Sequence, residues 1–195
     1  MFKAKISKEE VSTFPVAKFE GKVTVVDDPS KVYDAIKELN RQKIVGIDTE
    51  TKPSFKKGTL HKVALIQVST HDHCFLFRLN KIPFPKELGE FLSNKSIQKI
   101  GLALKDDFVG LNKHHAFRPD NIIDLQTIVK SFGILELGLQ KIYAIVFNEK
   151  ISKNQRLTNW ENPELTEAKL LLVNAVRIVL SETLDLIGVE APKSM

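Results

Sequence analysis

Cysteine is nearly absent from this chain: Cys74 stands alone among 195 residues. One thiol cannot close an internal disulfide, so stability has to come from a packed core, and a reducing, cytoplasmic setting is expected. Glycine and proline are also scarce, at 9 and 8 residues, which excludes collagen-like and low-complexity order. No apolar run approaches the roughly 18 residues of a membrane span. The greasiest stretch, 170–180, is interrupted by Asn174 and Arg177. The opening "MFKAKISKEEVSTF" carries no apolar h-region and no small-residue cleavage site, so no signal peptide is predicted. P-loops, glycine-rich phosphate loops and a Ser-His-Asp order are missing as well. What is present is a 43% hydrophobic content, ample for the core of one domain, and a net charge of +5. That excess permits a polyanionic partner without requiring one.

Alternating and helical patterns divide the chain. Residues 1–21 read as an irregular lead-in. "KVTVV" from Lys22 reads as a strand by its β-branched content. Asp28 and Pro29 then form a helix start, with Val32, Ile36 and Leu39 on one face. A strand follows through "KIVGID", and two more span 61–70 and 74–79 with "HDH" as a tight turn between them. These three strands predict an antiparallel meander. A helix over 85–94, a short strand over 97–104 and a helix from "KDDFVGLNKHH" come next. A brief strand ends at Asp124, a helix is closed by Gly133, and another helix runs to Phe147. The last helix, about 165–187, is apolar nearly all round and is expected to be buried. The order predicts an α/β fold: a mixed sheet flanked by helices, with a helix-rich C-terminal half.

Two sets of carboxylates stand where strands end. Asp48 and Glu50 are two residues apart, so a strand points both to one side, about 7 Å apart along the chain. They either cap a turn or share a hard divalent cation. Asp106 and Asp107 follow the strand ending near Leu104. If that strand neighbours the one ending at Asp48, the carboxylates converge, and such a cluster favours a cation. The alternative is an N-cap. "HDHC" at His71–Cys74 has no second Cys/His pair at zinc spacing, and His114–His115 reads as a helix end. Lys52, Lys56 and Lys57 cluster beside the first carboxylates; Lys150, Lys153 and Arg156 form a second group. Phe55 and Trp160 offer rings nearby in sequence. Such residues either hold phosphates and stack bases or decorate solvated loops.

Taken together, these stretches resemble the DEDD superfamily of 3′–5′ exonucleases, in the branch containing ribonuclease D and the Werner helicase exonuclease domain. "VGIDTE" is similar to the first motif and "KIGLALKDDFVGL" to the second, with Asp107 as the aligned carboxylate and Asp106 in the variable position before it. "VALIQVS", "IIDLQTIVKSFG", "LGLQKIYAIVF" and "RLTNWENPELTEAK" are similar to the intervening segments. The resemblance implies a ribonuclease H-like domain over 22–187, between the lead-in 1–21 and a tail 188–195. It implies Asp48, Glu50 and Asp107 as catalytic ligands of two magnesium or manganese ions. It also implies a nucleic-acid 3′ end as substrate, DNA or RNA; Lys52, Lys56, Lys57, Arg156 and Trp160 are candidates to meet it on the charge and ring reading above, with the solvated-loop alternative still open.

The third motif departs from the pattern. Its tyrosine and aspartate, four residues apart on the last helix, fall without a gap on Leu172 and Val176. Leucine cannot orient a water, and valine cannot ligate magnesium. The next carboxylates, Glu182 and Asp185, lie roughly 9–13 Å farther along a helix. Three readings therefore stay open: a metal-dependent exonuclease, a weak or inactive nucleic-acid-binding or regulatory module, and a protein-interaction domain on the same fold.

Overall fold

The computed structural model describes residues 2–17, 19, 21–51 and 62–151. Six strands form one mixed sheet: β1 (Lys22–Val26), β2 (Ile44–Thr51), β3 (Val63–Ser69), β4 (His73–Phe77), β5 (Gln98–Gly101) and β6 (Ile122–Asp124), in the order β1-β4-β3-β2-β5-β6. β2, β3 and β4 make the expected antiparallel meander. β5 joins β2 in parallel, β6 joins β5 in parallel, and β1 lies parallel to β4 at the far edge.

The sheet is covered on both faces, which is why β3 is buried along its whole length. On one face sit α2 (Val32–Leu39), α3 (Lys86–Leu92) and α4 (Leu104–Leu111). They bring Ala35, Leu39, Leu88, Phe91 and Leu111 against Val45, Ile47, Ile66 and Phe77. On the other, Leu139 and Tyr143 of α6 (Leu139–Phe147) pack with Ile100, Ala17 and Ile151. α5 (Leu125–Ser131) follows β6 directly, and its chain leaves through Gly133 at φ 78°, the left-handed residue that ends the helix.

Several expectations are corrected. The lead-in is not wholly irregular: α1 (Lys8–Thr13) forms there, with Ser7 Oγ accepting from the Glu10 amide at 3.0 Å. The strand expected over 97–104 stops at Gly101, because Ala103 takes a left-handed turn at φ 57° and Leu104 already begins α4. The last helix, expected near 165–187, lies outside the described residues.

Two buried polar side chains fasten the sheet to its surroundings. Lys99 on β5 is fully buried, and its ammonium donates to the carbonyls of Asn94 and, at 2.9 Å, Asp120. It thereby clamps the loops on either side of the strand. Burial depresses its pKa to about 8, partly opposed by the Asp120 charge. His73 on β4 links three elements. Its Nδ1 donates to Glu38 Oε1 of α2 at 2.5 Å, and its Nε2 meets Thr24 Oγ1 of β1 at 2.8 Å.

The unfolded lysine keeps its proton to about 10.4, whereas the folded one releases it near 8. Between those values the unfolded state binds more protons, so stability rises with pH, by roughly 3 kcal/mol at most. Lys99→Met is expected to flatten this rise relative to the wild type when urea unfolding is compared at pH 7.5 and pH 10.

Candidate active site

β2 outruns its parallel neighbour. Its pairing with β5 ends at Gly46 opposite Ile100, while pairing with β3 continues to Thr51. On that side the chain turns from β5 into α4 beside the strand. The turn is tight: a Cβ on Gly101 would lie 2.4 Å from the Ile47 carbonyl oxygen and equally close to the Leu104 side chain. Glycine is required there for close approach.

This geometry brings the first turn of α4 over the carboxyl end of β2. Asp48, Thr49 and Glu50 are all half-buried. Strand alternation turns Asp48 and Glu50 to the face opposite α4 and Thr49 toward it. Thr49 Oγ1 donates to Asp107 Oδ1, tying the helix to the residue between the two acids. Asp106, the neighbouring candidate, is exposed, while Asp107 is turned inward. Burial above all pushes the Asp107 carboxyl above the usual range. The Asp106, Glu50 and Asp124 charges push the same way, and the Thr49 hydroxyl opposes them.

Asp124 is a member that sequence reasoning passed over. Its Oδ2 accepts from the Leu104 amide at 3.1 Å and its Oδ1 from the Gln126 amide at 2.9 Å, so one carboxylate seats the starts of both α4 and α5. The signal was present, since "NIID" ends a strand on an acid just as "VGID" does.

β2 and β5 are neighbours, which was the condition for convergence, and the Glu50 charge reaches Asp107. Among the described residues, however, no three His, Cys, Asp or Glu side chains are grouped closely enough to hold a metal ion. The oxygen donors suit magnesium or manganese by chemistry, and mutual repulsion at Asp107 is what a cation would relieve. Leu172, Val176, Lys52, Lys56, Lys57, Arg156 and Trp160 lie outside the described residues. Lys150 is inside them, and its ammonium donates to the Ser12 carbonyl at 2.5 Å. His114 donates from Nε2 to the Val63 carbonyl at 2.7 Å, and Phe84 stacks on His115 with centroids 5.8 Å apart. Among the described residues no helix is long and apolar enough to cross a membrane.

The fold has counterparts among known proteins. Residues 23–175 match the family model described as 3′-5′ exonuclease. A 3′-5′ exonuclease of Arabidopsis thaliana is 27% identical over 181 residues, covering 85% of this chain and 63% of that protein. The chain thus spans less than two thirds of that relative's length. Among solved structures, the Nibbler EXO domain of Aedes aegypti superposes with a TM-score of 0.74 at 19% identity, over 90% of this chain and 94% of that one. Trypanosoma brucei RNase D in complex with RNA U12 gives 0.70 at 19% identity, over 84% and 62%. These likenesses establish a ribonuclease H-like fold, a six-stranded mixed sheet with flanking helices. With most of its length matched by that model, the chain belongs to the 3′-5′ exonuclease domain family.

Proposed function

We propose that this chain is a divalent-metal-dependent exonuclease acting at nucleic-acid 3′ ends, with its water-activating half weakened by Leu172 and Val176. The observation that carries the reading is the strand end of β2. It presents Asp48 and Glu50, and Thr49 between them secures Asp107 from the facing helix. Membership of the exonuclease family supports the same assignment.

In this reading Asp48 and Glu50 would hold the ion that activates the attacking water, and Asp107, together with Asp48, would help hold a second. Magnesium or manganese, when bound, supplies the positive charge that lowers the pKa of a water and steadies the leaving oxygen. Thr49 keeps Asp107 oriented. The cations of Lys52, Lys56, Lys57 and Arg156 take backbone phosphates, and Trp160 stacks a base. RNA as one substrate is supported by the RNA U12 held by the trypanosomal RNase D. A cytoplasmic location suits the lone Cys74, whose thiol is buried and pushed up to about 12. Leu172 and Val176 favour a second reading, in which the strand is bound and not cut.

Degradation of 3′-labelled DNA and RNA strands with magnesium or manganese decides between these. Slow shortening from the 3′ end is expected, abolished by Asp48→Ala. Activity surviving Asp48→Ala would remove this site from the account. Salt-dependent binding without shortening would favour the second reading. Restoring the third motif with Leu172→Tyr and Val176→Asp is expected to raise turnover by roughly 100-fold, since even outer-shell partners at metal sites are worth about 10–100-fold. The raised Asp107 carboxyl makes a stability prediction. Its folded-state contribution is full below the unfolded pKa and lost as pH rises through the folded one. Metal-free Asp107→Asn is therefore expected to melt above the wild type at pH 7 and to lose that pH dependence. Calorimetry across pH 4–7 measures both.

A further inference from the structure

Gln67 lies in the middle of β3 and is fully buried, yet neither its Oε1 nor its Nε2 has a hydrogen-bond partner among the described residues. A buried amide with both ends unsatisfied costs stability, and native proteins keep few of them. The sheet register restricts what this amide can reach. Gln67 stands directly opposite Leu76 on β4 and directly opposite Asp48 on β2. Directly opposed residues share a face, with Cβ atoms about 4.5–5.5 Å apart. Its flanking positions on that face of β3 are Leu65 and Ser69, both buried, so the side chain has no route to solvent along its own strand. Of its two cross-strand partners one is a leucine and the other carries the carboxylate central to the proposed site.

We propose that Gln67 is a positioning residue for Asp48: in the cation-loaded protein its Nε2–H donates to the Asp48 carboxylate and fixes which oxygen faces the ion. This rests on the reading of Asp48 as a metal ligand. Ligating carboxylates are held by hydrogen bonds of their own, and a carboxylate offers about four lone-pair sites, enough for cations and a donor together. An amide suits the task better than an ammonium. It orients the carboxylate without adding positive charge that would compete with the metal. An apolar residue of the same length beside Leu65 and Leu76 would leave no polar group unpaired, so packing alone does not call for an amide here.

The test uses the full chain and manganese alone, without nucleic acid. Manganese affinity is measured by calorimetry for the wild type, Gln67→Leu, Gln67→Met and Asp48→Asn, alongside melting temperatures in a chelator. Gln67→Leu and Gln67→Met are expected to melt at or above the wild type while binding manganese about 10–100-fold more weakly. A substitution that merely disturbed packing would lower the melting temperature instead, and Gln67→Met, which keeps the length, guards against a void. Unchanged affinity in both Gln67 variants, with binding lost in Asp48→Asn, would overturn the role of Gln67 and leave the metal site standing. Weaker binding that comes only with a lowered melting temperature would also overturn it. Equal or absent manganese binding by the wild type and Asp48→Asn would overturn both readings.

Discussion

The close approach of Gly101 to the Ile47 carbonyl is the constraint on which the site depends. Parallel strands bring their ends side by side, but a chain leaving one strand for a helix usually swings wide of the next. Here it does not, because there is no Cβ to hold β5 away from β2. The Leu104 side chain fills the space beside the glycine, and α4 starts at once. Its first turn then lies near enough for Thr49 to reach Asp107. A methyl group at residue 101 would press on backbone, which cannot swing aside as a side-chain end can. The loss would be felt as a misplaced carboxylate as much as a weakened sheet.

Several buried polar groups elsewhere tie separate elements together. Lys99 holds the loops before β5 and before β6 through backbone carbonyls. His73 ties the edge strand β1 and helix α2 to β4. Tyr143 of α6 donates to Glu149 at 2.8 Å, and burial pushes its hydroxyl far above the ordinary range. Gln67 has no such partner among the described residues, nor do the buried Ser69 Oγ and Arg78 Nε, and of these Gln67 stands directly opposite Asp48.

Strands and helices were largely legible because burial imposes its period on the residues. Val45 and Ile47 face one way, which marked β2, but its end was not legible: the strand read through Asp48 runs on to Thr51, where pairing with β3 carries it. The short helix α1 was missed although its signal, Ser7 followed three residues later by Glu10, is a capping pattern; no apolar run follows it to attract notice. Lys99 was invisible for a different reason. A lysine in a strand ordinarily faces solvent, and what buries this one is a pair of carbonyls brought from Asn94 and Asp120 by the fold. The inward choice of Asp107 over Asp106 followed from the motif, but its partner Thr49 did not, since that contact depends on how near Gly101 lets the helix come. The edge position of β1, parallel to β4, likewise follows from tertiary packing rather than from any local pattern.

Asp124 gives the two helices that follow the sheet a common origin. Because one side chain seats the first amide of α4 and the second of α5, neither helix can slide along its axis without dragging the other. The depth of Asp107 is thus registered against α5 as well as against the strand beside it. Changes in the packing of α5, remote from any carboxylate of the strand end, reach the site through this pivot. A substitution at residue 124 would be felt twice, once in each helix, so drift in the outer layer is answerable to the geometry at the centre.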